Sequence, residues 1–289
     1  MENYLITTDN MTDLPDAYFE QHGLMIMSLT YLLDGVTYTT ENSLSSEEFY
    51  RKMREGCMPT TSQVNPEEAK ERLLTFLRVN KNIIHIAFSG GLSGTFNSVR
   101  LAAQEIMEEQ PDCRITVIDS LAASMGEGLL VHKALEKQAQ GASYDEMVEW
   151  IEDFRYHVCH NFTVDDLFHL YRGGRVSKTA AVLGTVINLK PVLHVDDEGH
   201  LVPVSKVRGR KKSLHTLVDN MEKQMGAYRS ENDIVFISHG DCYEDALYVQ
   251  ELVKKRFGIE KFLINPVGPT IGAHSGPGTL ALFFIGEKR

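Results

Sequence analysis

The segment Ser89-Gly90-Gly91-Leu92-Ser93-Gly94-Thr95-Phe96 combines three glycines with three hydroxyl side chains. Glycines let the backbone approach a ligand closely, and a helix starting at the end of such a loop presents unpaired N–H groups, so the segment reads as an anion site. It lacks the lysine of a P-loop and the full GxGxxG frame, which argues against a nucleotide. The bland reading is that Ser93 only caps the helix. Pro59-Thr60-Thr61-Ser62-Gln63 supplies consecutive hydroxyls without a neighbouring base, either as hydrogen-bond donors or as a turn ahead of a helix. The stretch from Gly268 to Gly278 sets four glycines and two prolines around His274, and reads as a constrained loop that holds the imidazole against a ligand. Arg172-Gly-Gly-Arg175, between two helices, offers guanidinium groups for bidentate contact with a carboxylate or phosphate, unless both arginines are merely solvated. Lys206, Arg208, Arg210, Lys211 and Lys212 form a basic cluster, which is either a partner surface or a solvated helix start.

Other chemistries lack their parts. Asp165-Asp166 and Asp196-Asp197 fall at a helix start and a hairpin turn, where local structure accounts for them, so no magnesium-dependent phosphoryl-transfer site is expected. There is no GxSxG elbow, no HExxH, and no cysteine beside a base, so no catalytic residue, metal or cofactor is assigned. Lys plus Arg is 29 against 40 Asp plus Glu, a net charge of −11 that opposes phosphate-backbone binding, so nucleic acid is not an expected partner. Cys57, Cys113, Cys159 and Cys242 are far apart and read as reduced core residues. With no basic leader and no apolar run near the 18 to 20 or so residues that cross a bilayer, a cytoplasmic protein is expected.

The elements that must position these residues follow from local signals. Tyr4 to Thr8 reads as a strand, and Leu24 to Leu33 with Val36 to Thr39 as a hairpin about Asp34-Gly35. Ser45 with Glu48, Asn65 with Glu68, and Ser143 with Glu146 each mark a helix start. Ile83 to Phe88 and Ile115 to Ile118 are apolar runs of the kind buried on both faces of a parallel sheet, so the first half is a doubly wound α/β unit. Beyond a boundary placed at Tyr156, Val158 to Val164 reads as a strand, Asp165 to Tyr171 and Ser177 to Asn188 as helices, and Val192 to Val195 with Leu201 to Val204 as a hairpin. A helix from about Lys211, a strand from Ile234 to Ser238, a helix through Lys255, and strands near Phe262 and Leu280 follow. The expected fold is therefore α/β in two domains, residues 1–156 around a parallel sheet and residues 157–289 around a mixed sheet with helices on one face.

Taken together, Thr8-Asp9 with Asp13-Leu14, Thr60 to Gln63, Ser89 to Thr95, Asp119-Ser120 with Ser124-Met-Gly126, Arg172 to Lys178, Asn188 to Pro191 and Gly272 to Gly278 resemble the DegV family of bacterial fatty acid-binding proteins. Thr8 stands where that family more often has serine, and keeps the hydroxyl. The resemblance implies one long-chain fatty acid between two domains, its acyl chain in an apolar tunnel and its carboxyl group at the polar end. A separate fatty acid kinase subunit then makes the acyl phosphate for phospholipid synthesis, so the chain itself is a lipid-binding subunit rather than an enzyme. Residue by residue, Thr61 and Ser93 match the carboxylate-binding hydroxyls, His274 and Arg172 match the supporting pair, and Ser62, Gly94 and Arg175 are neighbours able to exchange roles with them. Phe162, Leu167, Phe168, Leu183, Ile187 and Phe283 are the expected tunnel lining. The basic cluster from Lys206 to Lys212 would dock the kinase, or briefly an anionic membrane surface. Two other readings remain: a self-sufficient phosphotransferase or hydrolase acting on a small carboxylate or phosphate with His274 as acid or base, and an interaction protein with a vestigial pocket.

Overall fold

A computed structural model describes residues 3–177 and 188–289. Strands β1 (Leu5–Asp9) and β2 (Met25–Met27) lead into a small antiparallel sheet of β3 (Thr30–Leu33), β4 (Val36–Tyr38) and β5 (Thr60–Ser62), ordered β4-β3-β5. The β3–β4 hairpin turns at Asp34 and Gly35, whose φ angles of 52° and 78° are the pair of positive values that a type I′ turn demands. Strands β6 (Asn82–Ala87) and β7 (Arg114–Asp119) complete a parallel sheet in the order β2-β1-β6-β7.

Alternation along these strands explains the two helical layers. Ile83 and Ile115 point into one apolar core with the helices Pro66–Leu77 and Thr95–Glu109. Ile84, Ile86 and Ile118 point the other way, onto the helices Met125–Ala139 and Tyr144–Phe154. Neither face of the parallel sheet meets water, which is why its strands read as apolar runs.

The second sheet draws on β8 (Val158–Thr163), β9 (Leu189–Val195), β10 (Leu201–Arg208), β11 (Ile234–His239), β12 (Lys261–Pro266) and β13 (Leu280–Ile285), in the order β10-β9-β8-β13-β11-β12. Only β11 and β12 run parallel; the other pairs are antiparallel. Helices Arg210–Met225 and Tyr243–Phe257 cover one face through Leu214, Leu217, Val249 and Val253. Phe236 and Phe283 on the opposite face join the core of the Met125–Ala139 helix, which is thus sandwiched between the two sheets. A division at Tyr156 leaves every strand of the parallel sheet on one side and every strand of the six-stranded sheet on the other.

Three expectations change. Thr60–Ser62 is an edge strand rather than a loop, because its backbone pairs with β3. His274 lies in a short helix, Pro269–Ser275, opened by Pro269 at its first turn and closed by Gly276 at φ 77°. The helix expected from Asp165 starts at Phe168, because Asp166 Oδ1 accepts the Phe168 N–H at 2.8 Å and the Asp165 carboxylate turns away to Lys190 at 2.6 Å. The expected helix from Ser177 to Asn188 falls largely outside the described residues. All four cysteines are unpaired as expected, but Cys57 and Cys242 are half-buried rather than core. Among the described residues no helix is long and apolar enough to cross a membrane.

Candidate functional site

A cavity of about 410 Å³ lies between the two sheets, a size at which small-molecule sites are found. Strand register builds one wall in rows. Ser238, Ala281 and Phe162 stand side by side on β11, β13 and β8, and Phe283 and His160 form the next row. Two residues along a strand separate the rows, about 7 Å. Phe88, Leu92, Met11 and Leu29 from the first half close the opposite wall.

One group of polar side chains meets where β5, the Ser93 turn and the His274 helix converge. Pairing of Tyr31 with Thr61 fixes β5, and Thr61 Oγ1 meets His274 Nε2 at 2.7 Å. On its other side the imidazole packs on Gly173, where a Cβ would lie 2.0 Å from His274 Nδ1, so only glycine fits. Ser93 Oγ contacts Thr95 Oγ1 at 3.0 Å and accepts the Thr95 N–H, in the turn that opens the Thr95–Glu109 helix. Arg175 donates through Nε to Leu92 O at 3.0 Å and through Nη1 to Gly173 O. Arg172 Nη2 donates to Ala273 O at 3.1 Å, while its Nη1 is buried without a hydrogen-bond partner among the described residues.

Electrostatically this group is an unanswered positive charge. Among the described residues no carboxylate forms an ion pair with Arg172 or Arg175. Burial first, then Arg175 and Arg172, push the His274 pKa down to about 4, so the imidazole is neutral at neutral pH. Burial also lowers the Arg175 pKa, yet a guanidinium does not discharge in a protein.

Thr61, Ser62, Ser93, Arg175, His274, Phe162 and Phe283 all line the cavity. Gly94 stands behind the wall, packed so tightly on Gln63 that a Cβ would sit 2.3 Å from its Oε1. Arg175 lines the cavity, and Arg172 lies behind it, bonded to the His274 helix. Leu167 is buried in the adjoining core without reaching the cavity, and Phe168 is 50% exposed. The reason is helical rotation of about 100° per residue, which turns Phe168 to the side opposite Leu170, the residue that does line the cavity. Leu183 and Ile187 lie outside the described residues.

The basic cluster is split by its surroundings. Arg208, Lys211 and Lys212 are exposed and Lys206 is half-buried on β10. Arg210 is tied to Asp245 at 2.8 Å and to Asp165 at 3.7 Å, so it belongs to the scaffold rather than to an open basic patch.

Sequence reasoning overlooked a second polar cluster on the cavity's flank. Asp9, Asp13 and Glu127 are all buried. Asp9 accepts the N–H groups of Met11 and Phe88, both at 2.8 Å, and Asp13 accepts the Gly268 N–H at 2.8 Å and the Ser124 hydroxyl. Burial raises the pKa of Asp9 and of Asp13 to about 7, and that of Glu127 well above the ordinary carboxyl range. Ser124, Ser238 and His160 connect this cluster to the cavity wall. Gly126, next to Glu127, packs directly on His160, where a Cβ would lie 2.0 Å from Nε2.

The model of the DegV family of uncharacterised proteins matches residues 3–287. A DegV domain-containing protein of Clostridium perfringens is 39% identical, over 100% of this chain and 99% of its own length. The fold is that of a Thermus thermophilus DegV family protein solved for its fatty acid binding, with a TM-score of 0.87 and 31% identity over 99% of this chain and 100% of that one. It matches equally DegV of Bacillus subtilis, described as a fatty acid binding protein, with a TM-score of 0.85 and 27% identity over 99% and 100% of the two chains. Matched by the family model over nearly its whole length and by a relative at 39% identity over all of it, the chain belongs to the DegV family.

Proposed function

We propose that this protein binds one long-chain fatty acid in the cavity and presents its carboxyl group to a separate fatty acid kinase. The observation that carries the reading is Arg175 in the wall of the cavity, with no acidic partner among the described residues, beside the Thr61 and Ser93 hydroxyls and backed by Arg172 on the His274 helix. A carboxylate supplies the missing charge. Its chain, laid along Ala281, Phe162 and Phe283, is removed from water at about 0.8 kcal/mol per CH₂. For the Thr61 hydroxyl to donate to that carboxylate, neutral His274 must hold its proton on Nε2 and donate it to Thr61 Oγ1, which defines His274 as a positioning residue. Ser93 donates the second hydroxyl, with Ser62 beside Thr61 and Gly94 shaping the turn. The chain would work in the cytoplasm as two domains divided at Tyr156, with the ligand between them and docking of the kinase through Arg208, Lys211 and Lys212.

Burial of a whole acyl chain makes release slow, so ligand should survive purification without detergent. Denaturing extraction and mass spectrometry are expected to recover fatty acid at close to one per chain. No recovered lipid, together with no binding of added palmitate or oleate, would falsify the reading. A second assay, with the kinase and ATP, is expected to yield acyl phosphate only when both proteins are present.

A further inference from the structure

The tunnel wall has a polar place that the carboxylate does not need. Ser238 and Ser124 both line the cavity, and Ser238 stands in one row with Ala281 and Phe162, next to the row of Phe283 and His160. Their oxygens lie 2.9 Å apart, and the Ser124 hydroxyl donates to buried Asp13. When Asp13 is ionised, Ser124 has spent its only proton on that carboxylate, and Ser238 then donates to Ser124. The pair is then left with free lone pairs and no free donor. His160, in the next row, is already satisfied, taking the Ala123 N–H at 3.2 Å on Nε2 and standing 3.1 Å from Val158 O through Nδ1.

Ser124 also holds φ 54° and ψ −145°, a backbone conformation that glycine adopts freely and serine does not. The strained backbone holds the Ser124 hydroxyl between buried Asp13 and Ser238, at the wall of the cavity. Resting on the fatty acid reading above, we infer that the Ser124–Ser238 pair is a specificity site that accepts a hydrogen bond from a hydroxyl group carried part-way along the acyl chain. The ligand class it favours is a hydroxy fatty acid. In a purely apolar tunnel that hydroxyl would lose water without compensation; here it finds an acceptor.

The test displaces a fluorescent fatty acid probe with stearate and with a series of hydroxystearates substituted at successive carbons. It is run on the wild type, Ser124→Gly and Ser238→Ala. Ser124→Gly removes the hydroxyl while relieving the backbone, so loss of fold is not built into the variant. At one position along the series the wild type should bind the hydroxy acid at least as tightly as stearate. Both variants should bind that isomer roughly tenfold less tightly, the loss of about one hydrogen bond, with stearate unchanged. A wild type that discriminates against every isomer overturns the inference, as does a preference that survives in both variants. Variants that lose stearate equally show the pair to be a strut between the two halves, which also overturns it. If the wild type binds neither stearate nor any isomer, the fatty acid reading fails and this inference falls with it.

Discussion

Two buried polar clusters flank the same cavity and balance their charge in opposite ways. Asp9, Asp13 and Glu127 bring three carboxyl groups together, and among the described residues no lysine or arginine forms an ion pair with them. Arg172, Arg175 and His274 bring two guanidinium groups and an imidazole together, and among the described residues no carboxylate forms an ion pair with either arginine. A carboxyl group in such a place can take up a proton, and the raised pKa values of the first cluster are that response. An imidazole can give one up, as His274 does. A guanidinium cannot respond in kind. Excess acid is therefore self-correcting, whereas excess arginine is not, and this asymmetry is what favours the second cluster as the proposed carboxylate site.

The comparison breaks most visibly if the arginines are made neutral. Charge-assisted hydrogen bonds contribute about 1.5 to 3 kcal/mol each, so Arg172→Met combined with Arg175→Met should weaken fatty acid binding roughly a hundredfold or more. The same variant should bind the matching fatty alcohol as the wild type does. Equal losses for acid and alcohol, measured as Kd, would show that the arginines hold the fold and not a carboxylate.

Opposite pH responses sharpen the contrast. His274 falls from 6.5 to about 4 on folding, so the unfolded chain binds the extra proton in that window and stability drops as pH falls through it, by about 3 kcal/mol for this group. Glu127 is raised well above its ordinary 4.5, so the folded chain holds the extra proton and stability drops as pH rises, with a slope of up to about 1.4 kcal/mol per pH unit. Urea denaturation across pH should show His274→Gln losing less stability than the wild type on the acid side, and Glu127→Gln losing less on the alkaline side. Parallel pH profiles for either variant and the wild type would remove that group from the balance.

A single hydroxyl is a smaller lever. Thr61→Ala or Ser93→Ala should each weaken head-group binding by roughly 1.5 to 3 kcal/mol while the tunnel retains much of the affinity. Kinase-dependent phosphorylation should fall further than binding does, because orientation of the reacting oxygen is lost. Rates equal to the wild type in both variants would take the hydroxyls out of the site.

What the sequence made legible was what neighbours decide. The Asn65–Glu68 and Ser143–Glu146 capping boxes and the Asp34-Gly35 turn form as expected because each is closed within four residues. Thr60–Ser62 carries no strand signal of its own, because its strand exists only through pairing with β3, about thirty residues earlier. The cavity's hydroxyls and His274 are visible as residue types in glycine-rich settings, yet which of Arg172 and Arg175 faces the cavity depends on where a five-residue helix ends. Phe168 failed for a related reason: a one-residue step on a helix changes the face, and no pattern that short fixes the phase. The carboxyl cluster stayed hidden because Asp9, Asp13 and Glu127 are scattered along the chain and look like any acidic residues until burial raises their pKa.

The smallest expected effect lies outside both clusters, where cations are solvated rather than buried. Arg208, Lys211 and Lys212 are exposed on a protein of net charge −11, so they make a local positive patch that would steer an acidic partner surface. Arg210 must be left in place, because its ties to Asp165 and Asp245 would otherwise be broken and a folding defect would look like lost docking. Replacing Arg208, Lys211 and Lys212 with Glu should leave fatty acid binding unchanged and alter stability by no more than about 0.5 kcal/mol per site, as exposed substitutions usually do. The kinase-coupled rate should slow at low ionic strength, and the difference should fade as salt shortens the screening length to about 3 Å at 1 M. A buried contact would not respond in that way, since salt screens it far less. If the triple variant is phosphorylated at the wild-type rate at low salt, the patch is only a solvated strand end and helix start, and the kinase must approach the carboxyl group over another surface.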